Sequence, residues 1–301
     1  GFISGIVDAA GQGGGSLGGV TINPGVRVPG QRRPVTASVN TGNFASTVHN
    51  AVRALLFSMK ADTTVAEALD ELKKGNKVTL SLANTMGSFV EDQVEEVGAL
   101  KIDDPFEMTF SDVLKRYLRR TLQFTIVQPN GIKDGGEISL EELPPEMQEQ
   151  YRALERRIDQ SYSNLPGSPI DYIKAGLMAE GYTVDELTGR KYVADLEDPE
   201  NPILRKRSSN EIKAKQQIVG KFNRGALDVV ILNQSGSTGI SMHANKEFAD
   251  TRQRVNIIAQ PELEINTEVQ KMGRINRKGQ VVLPRYKTLL LDIPAEIRPT
   301  T

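Results

Sequence analysis

The chain has 301 residues, of which 38% are hydrophobic and 25% are charged, as is typical of one or two folded globular domains. Its net charge of −1 gives no overall attraction to a nucleic acid or a membrane, so any anion site must come from local clustering of cations. The absence of cysteine excludes disulfide bonds, and the presence of only two histidines argues against a zinc site.

Residues 1–45 form a segment rich in glycine and proline, for which we predict an irregular structure. The run Gly11–Gly19 has the glycine content of a phosphate-binding loop, but it lacks the Gly-Lys-Ser/Thr that completes one. We therefore assign no nucleotide site to this segment. Because the chain opens with Gly1-Phe2 rather than methionine, we expect it to be a piece of a longer polypeptide.

Residues 46–100 have the apolar spacing of two helices, a strand and a third helix. The first three elements are predicted over 46–60, 64–74 and 77–83. Thr64 and Glu67 have the capping-box spacing that opens a helix, and Gly75 would end that helix. The dipeptide Asn84-Thr85 follows the strand and precedes the third helix.

Residues 101–165 are strongly charged and interrupt the pattern on either side. We predict helices near 111–121 and 144–160, with a turn at Pro129-Asn130-Gly131 between them. We interpret this stretch as an insertion.

Strands and helices alternate over residues 166–295. The predicted elements are, in chain order, a helix opened by Ser168-Pro169, a strand over 182–187, a helix over 210–223, strands over 228–232 and 254–259, a helix carrying Gln270 to Arg277, and a strand over 286–291. The run 228–232 is apolar and β-branched, as in strands buried on both faces of a parallel sheet. We therefore predict an α/β fold, with a mostly parallel sheet flanked by helices and a helical insertion.

The last predicted helix gives the strongest indication of chemistry. At about 3.6 residues per turn, Gln270, Arg274 and Arg277 share one face, with Gly273 at its edge. Two guanidinium groups at this spacing suit a phosphate, which they bind through charge-assisted hydrogen bonds. A solvated charged face is the alternative that this helix alone leaves open. The residues expected on the opposite, core-facing side are Ile265, Val269, Met272 and Ile275.

Polar segments follow several of the predicted strands. In a parallel sheet the carboxyl ends of the strands lie along one edge, where ligands bind. The segments expected there are Asn84-Thr85, Thr188-Gly189-Arg190 and Gln234–Ser241. The third combines glycines, which allow close approach to the backbone, with hydroxyls that bind phosphate oxygens. An ordinary strand-to-helix turn has the same composition, so this segment alone does not decide between the two.

The order of these motifs resembles the second RecA-like lobe of superfamily 2 helicases and translocases. The ending Gln270-x-x-Gly273-Arg274-x-x-Arg277-x-Gly279-Gln280 is also similar to that of chromatin-remodelling motors. Ser168-Pro169-Ile170-Asp171, Thr188-Gly189-Arg190 and residues 236–244 resemble the strawberry notch family of helicase-like proteins. The resemblance covers about residues 46–295 and is poor over 1–45 and 101–165, with 296–301 expected to be a tail.

The resemblance implies a role for each motif. Arg274 and Arg277 would face the γ-phosphate of ATP, one of them as an arginine finger, with Gln270 and Gly273 beside them. Gly239 and Ser241 would couple the nucleotide to the nucleic-acid track, although many relatives carry aspartate at the position of Ser241. The residues expected at the nucleic-acid backbone are Asn84, Thr85, Arg190, Ser237 and Thr238.

The resemblance also implies ATP with Mg²⁺ as cofactor, held mainly by an N-terminal RecA-like lobe of the same polypeptide. This sequence has neither the Gly-x-x-x-x-Gly-Lys-Ser/Thr loop nor the Asp-Glu pair of such a lobe, so we expect no ATP hydrolysis by this chain alone. The expected partners are that lobe and a DNA or RNA backbone. No apolar run reaches the roughly 20 residues that span a membrane. We expect a cytoplasmic protein of bacterial or phage origin, or a nuclear one in a eukaryote.

Two other functions are weighed against the motor. A catalytically inactive RecA-like module would keep the same motifs and serve as a scaffold in a larger protein, such as a fusion with methyltransferase-like parts. A methyltransferase itself is disfavoured, because no Gly-x-Gly methyl-donor loop follows a strand and Asn23-Pro24-Gly25 lies in the wrong context. ATP hydrolysis stimulated by nucleic acid would distinguish the motor from the scaffold.

Overall fold

The computed structural model describes residues 20–21, 37–39, 41–95, 100–106, 108–127, 133–198, 201–293 and 296. The chain divides into two compact units. The larger comprises residues 54–108 and 166–301, and the smaller comprises residues 1–53 and 109–165. The Gly11–Gly19 run and the predicted turn at Pro129-Asn130-Gly131 lie outside the described residues.

A parallel sheet of five strands organises the larger unit. The strands of the chain are β1 (Val20–Thr21), β2 (Ala37–Val39), β3 (Lys77–Ser81), β4 (Gln123–Val127), β5 (Lys133–Glu137), β6 (Val184–Leu187), β7 (Tyr192–Asp195), β8 (Ile203–Lys206), β9 (Val229–Leu232), β10 (Arg254–Ile258) and β11 (Arg285–Thr288). The sheet has the order β11-β10-β3-β9-β6, and each neighbouring pair is parallel. Every residue of β3, β9 and β10 is buried. The predicted α/β class with a mostly parallel sheet is therefore confirmed.

Helices connect the strands. They are α1 (Thr41–Met59), α2 (Ala61–Lys73), α3 (Gly87–Glu95), α4 (Phe110–Arg120), α5 (Pro145–Tyr162), α6 (Pro169–Ala179), α7 (Ser209–Lys213), α8 (Lys215–Arg224), α9 (Gln234–Ser237) and α10 (Ile265–Met272). One hydrophobic cluster contains Ile218, Val219 and Phe222 of α8, together with residues of β9 and with Ile240, Met242 and Ile275. The segment after β9 is therefore anchored to the core through alternate apolar residues, which fixes the polar residues between them.

Buried cations begin two of the central strands. Lys77 opens β3 and Arg254 opens β10, and both form ion pairs with Asp250, at 3.0 Å and 3.2 Å. The Lys77 ammonium also lies 4.2 Å from the centre of the Phe222 ring. Charged side chains are tolerated in the interior when they are paired and hydrogen-bonded, which this arrangement provides.

Two of the predicted helix boundaries are wrong. Helix α2 begins at Ala61, so Thr64 lies within the helix rather than at its cap. The buried hydroxyl of Thr64 donates to the carbonyl of Lys60 at 2.7 Å, a bond to the preceding turn that competes with capping. The helix predicted over 210–223 is divided into α7 and α8 at Ala214.

An antiparallel hairpin of β7 and β8 lies between β6 and α7, where the sequence analysis predicts no helix or strand. Residues 101–106 lie beside it, because the backbone N–H of Asp103 donates to the carbonyl of Leu204 at 2.9 Å and Pro105 bridges to Ile203. Residues 101–106 are thus part of the larger unit. The second segment of the smaller unit begins at Thr109.

The smaller unit combines an antiparallel sheet with helices α4 and α5 and residues 41–53 of α1. The sheet has the order β1-β2-β4-β5, which the sequence does not predict. Helices α4 and α5 correspond to the predicted helices near 111–121 and 144–160. They pack through a cluster of the buried residues Leu118, Leu122 and Tyr151.

Glu71 of α2 ties the edge strand β11 to the larger unit. Its buried carboxylate accepts hydrogen bonds from Lys287 and Asn76, both at 2.7 Å, and lies 2.5 Å from Arg285. Burial alone would raise the pKa of Glu71, but these hydrogen bonds and the charges of Arg285 and Lys287 lower it to about 2. The ionised carboxylate is therefore part of what holds β11 in place.

Replacing Glu71 by glutamine is expected to lower the free energy of unfolding at pH 7 by about 1–2 kcal/mol, a value reduced by screening of the partly exposed cations. A depressed pKa in the folded state stabilises above the ordinary value of 4.5, and this contribution disappears as the pH falls towards about 2. Urea unfolding at pH 7 and at low pH should show the difference from wild type shrinking in acid. Glu67→Gln, which removes a partly exposed partner of Lys287, is the control and should cost less.

Candidate functional site

Three polar turns meet the carboxyl edge of the sheet. Strand β9 lies between β3 and β6, so the turns that follow these three strands are neighbours. They contain Asn84-Thr85 after β3, the Ser/Gly loop after β9, which we define as residues 233–241, and Thr188-Gly189-Arg190 after β6. This is the edge at which open parallel sheets bind ligands.

The turn at Asn84-Thr85 is built by its own side chains. The Asn84 side-chain carbonyl accepts the N–H of Met86 at 2.8 Å, and the Thr85 hydroxyl accepts the N–H of Gly87 at 3.3 Å. The backbone N–H of Asn84 donates to the side chain of Gln260 at 2.7 Å. Asn84 itself is exposed, so a ligand has access to this residue.

The Ser/Gly loop begins with the short helix α9. The Asn233 side chain caps this helix by accepting the N–H of Gly236 at 2.9 Å. A Cβ atom on Gly236 would lie 1.5 Å from the carbonyl oxygen of Leu187, so only glycine fits there. Thr238 is exposed, and its carbonyl accepts a hydrogen bond from Lys215 at 2.8 Å. The backbone of Ser237 lies in α9, and its side chain is outside the description.

Helix α10 is shorter than predicted, and its core face is inverted. It ends at Met272 with Gly273 as its C-cap, so Gln270, Arg274 and Arg277 do not share one helical face. Ile265 and Val269, expected in the core, are 71% and 58% exposed. The buried face carries charged residues instead.

Lys271 explains this inversion. Its buried ammonium lies 3.0 Å from Glu262 and 3.4 Å from Glu268, and it donates to the carbonyl of Leu82 at 3.4 Å. The pairing satisfies a cation that would otherwise be costly to bury, and it links α10 to the end of β3. Of the apolar residues expected inside, Ile275 is buried and Met272 is partly buried.

The segment after α10 runs against the Ser/Gly loop. The carbonyl of Arg274 accepts the N–H of Met242 at 2.9 Å. The Nη2 of exposed Arg277 donates to the carbonyl of Ile240 at 3.1 Å. Gln270, also exposed, lies 3.5 Å from Gln234. The two motifs singled out in the sequence are thus adjacent in the structure.

No carboxylate of the described residues neutralises Arg274 or Arg277. Among the residues that the structure describes, Arg274 and Arg277 form no ion pair, and the buried Nε of Arg274 has no hydrogen-bond partner. Gly239, within the Ser/Gly loop, has a φ of +74° and open space where a Cβ would point. Two guanidinium groups without counter-ions beside an open glycine turn are suited to receive an anion.

His243 is a neighbour of this site that the sequence analysis does not single out. Its Nδ1 lies 2.8 Å from the hydroxyl of Ser241. Burial lowers the pKa of His243, and the nearby charges of Arg277 and Arg254 lower it further, so the imidazole is neutral at pH 7. Its position two residues beyond Ser241 is the only sequence signal for it.

Arg190 does not lie on the nucleic-acid side as predicted. Its fully buried guanidinium donates to both carboxylate oxygens of Asp171, at 2.6 Å and 3.0 Å, and to both oxygens of Glu186. Burial opposes its charge, but the two carboxylates raise the pKa of Arg190 and keep it ionised. With its donors engaged inside the protein, Arg190 offers none to a nucleic-acid strand, and we assign it a structural role instead.

Neither a metal-binding cluster nor a membrane-spanning helix occurs in the described part of the chain. It contains no group of three or more histidine, aspartate and glutamate side chains arranged to hold a metal ion. None of its helices has the length and apolar character needed to cross a membrane.

Comparison with known proteins confirms the resemblance to the strawberry notch family. Residues 169–301 match the model of the C-terminal domain on strawberry notch homologue. Protein strawberry notch of Drosophila melanogaster is 27% identical over 148 residues, which are 48% of this chain and 9% of that protein. Protein FORGETTER 1 of Arabidopsis thaliana is 26% identical over 172 residues, 51% of this chain and 12% of that protein. The chain therefore spans only a small part of the length of these relatives.

Among solved structures, the C-terminal part of the Fun30 ATPase domain matches with a TM-score of 0.32 and 15% identity, covering 73% of this chain and 65% of that one. This score is too low to support a statement about the fold. The fold class rests on the five-stranded parallel sheet itself.

Proposed function

We propose that this chain is the second motor lobe of an ATP-dependent nucleic-acid helicase or translocase. The observation that carries the proposal is the convergence of the arginine segment on the Ser/Gly loop, where two guanidinium groups have no carboxylate partner among the described residues. The match to the strawberry notch C-terminal domain supports the same assignment.

In this proposal Arg277 is the arginine finger. It is exposed, and its guanidinium is held by a carbonyl rather than by a carboxylate, so its charge is available to the γ-phosphate. Arg274, which has a buried Nε, is proposed to act beside it, together with Gln270, Gly273, Gly239 and Ser241. ATP with Mg²⁺ would be held mainly by an N-terminal lobe and would supply the phosphoryl group whose developing charge the arginines neutralise.

The nucleic-acid track is proposed at the carboxyl edge of the sheet. Asn84 and Thr85 on one turn, and Ser237 and Thr238 on the next, would contact the sugar-phosphate backbone of DNA or RNA. Lys215 adds a cation at the second turn, where it holds the Thr238 carbonyl. Contacts of this kind bind the strand without reading its sequence. Arg190 is left out of the track because it is buried.

The test is ATP hydrolysis by a protein that joins this chain to its N-terminal lobe. We expect turnover that single-stranded nucleic acid stimulates several-fold, and no turnover by this chain alone. The stimulation should weaken steeply with salt, since backbone contacts release counter-ions. A joined protein that binds ATP but neither hydrolyses it nor responds to nucleic acid would contradict the proposal.

A scaffold module is the second candidate, and one observation favours it. Leu263, Ile265 and Val269 are 65%, 71% and 58% exposed on or beside α10, which is unusual for apolar residues at helical spacing. Such side chains suit contact with another protein surface. The hydrolysis experiment separates the candidates, because a scaffold would show no stimulated turnover.

A further inference from the structure

The turn after β6 contacts both of the turns that are proposed to bind the nucleic acid. We infer that residues 186–190 act as a rigid spacer that fixes the distance between the Asn84-Thr85 turn and the Ser/Gly loop. This inference rests on the proposed function, since it concerns the geometry of the proposed track. In this inference Arg190 and Leu187 are positioning residues, and neither contacts the nucleic-acid strand.

One end of the spacer supports the Asn84-Thr85 turn. A Cβ atom on Gly87, the first residue of α3, would lie 3.0 Å from Cγ of Arg190 and 3.2 Å from the hydroxyl oxygen of Thr85. The carbon stem of Arg190 is therefore packed directly against the backbone that follows the turn. Met86, between Thr85 and Gly87, has a φ of +55°, so the turn is already constrained.

The other end supports the Ser/Gly loop. The carbonyl of Leu187 approaches Gly236 so closely that any side chain on Gly236 would overlap it. Gly236 is held in turn by Asn233 at 2.9 Å. A shift of the β6 turn would thus move the Ser/Gly loop as well as the Asn84-Thr85 turn.

The spacer is rigid because ion pairs and hydrogen bonds hold its charged side chains in place. Arg190 is clamped by Asp171 of α6 and Glu186 of β6, and Arg207 donates to Glu186, to the Thr188 carbonyl and to the Arg190 carbonyl, each at 3.2 Å. Lys174 lies 3.5 Å from Glu186. A side chain held at this many points cannot yield to a neighbour, so an added group at Gly87 must displace the turn instead.

The matched pair of variants is Gly87→Ala and Gly189→Ala in the joined protein. Gly189 belongs to the spacer, but its Cβ would have nothing within 4 Å, so its replacement should change nothing. Alanine is favoured over glycine in a helix, which offsets part of the cost of the close contact, so Gly87→Ala is expected to fold with a melting temperature near or slightly below that of wild type. The added methyl group should displace the turn by a few tenths of an ångström.

For Gly87→Ala we expect the concentration of a single-stranded oligonucleotide that half-maximally stimulates ATP hydrolysis to rise about fivefold or more. The turnover without nucleic acid and the turnover at saturation should stay within about twofold of wild type. A merely structural contact would alter melting temperature or all rates together, whereas a positioning role changes the apparent affinity alone. Fluorescence anisotropy with labelled DNA and RNA oligonucleotides gives the same affinity without ATP.

Equal affinities for Gly87→Ala and Gly189→Ala would overturn the spacer while leaving the motor proposal intact. A wild-type protein that shows neither stimulation nor oligonucleotide binding would overturn the motor proposal, and the spacer with it. Should Gly87→Ala melt early, affinity is measured at low temperature after circular dichroism has verified the folded state. A wild-type affinity in that folded protein would equally refute the spacer.

Discussion

Replacing Arg277 by alanine is expected to lower nucleic-acid-stimulated ATP hydrolysis by about 10³-fold or more in the protein that joins this chain to its N-terminal lobe. An arginine supplied across an interface stabilises the charge that develops on the transferred phosphoryl group. Arg277 is exposed and is held by the carbonyl of Ile240 at 3.1 Å, so its removal leaves no buried charge unpaired. The loss should therefore appear in the turnover number and not in the melting temperature.

Lys278→Ala is the matched control for this prediction. Lys278 is the next residue, is also exposed and carries the same charge. Its removal therefore changes the local electrostatic potential but leaves the guanidinium group of Arg277 in place. We expect its turnover to stay within about twofold of wild type. Arg277→Lys should lose most of the activity, because an ammonium cannot make the paired hydrogen bonds of a guanidinium. Equal turnover in Arg277→Ala and Lys278→Ala would exclude Arg277 as the finger and favour the scaffold.

The strands of the parallel sheet are predictable because their signal is local. The run 228–232 contains apolar, β-branched residues, and each residue of β9 is buried as that composition requires. Lys77 and Arg254 are exceptions, because they are charged residues that are buried in these strands. A sequence gives no reason to bury either cation until Asp250 is known to lie between them.

The orientation of α10 is not predictable by the same reasoning. Periodicity assigns Ile265 and Val269 to the core, because it treats a lysine as a surface residue. Lys271 is buried instead, since Glu262, Glu268 and the end of β3 supply its partners. The arginines nevertheless lie beside the Ser/Gly loop. Their position depends on the order of the strands in the sheet, and not on which face of α10 is buried.

The sequence does not predict the structural role of Arg190, for a related reason. Glu186 is four residues away on β6, but Asp171 lies on helix α6, and only the fold brings the three side chains together. An arginine beside a glycine in a polar turn has the composition of a phosphate site, and the same composition serves a buried ion-pair network. Burial distinguishes the two, and burial is a property of the tertiary structure.

Arg190→Ala is accordingly expected to destabilise the chain by about 3–5 kcal/mol, because it leaves the buried carboxylates of Asp171 and Glu186 without their main partner. Urea unfolding at pH 7 measures this loss. Arg205→Ala is the control, since Arg205 also pairs with two carboxylates, Asp195 and Glu211, but is 37% exposed. That variant should lose less than about 1 kcal/mol.

The pH dependence gives this prediction a second measurement. Burial opposes ionisation of Glu186, but Arg190, Lys174 and Arg207 hold its pKa well below the ordinary value of 4.5. Its ionisation therefore stabilises the fold above that value and loses this effect as the pH falls. In Arg190→Ala the carboxylates lose that support, so the deficit relative to wild type should be largest at neutral pH and smaller in acid. A variant as stable as wild type that bound oligonucleotides more weakly would instead return Arg190 to the surface of the track.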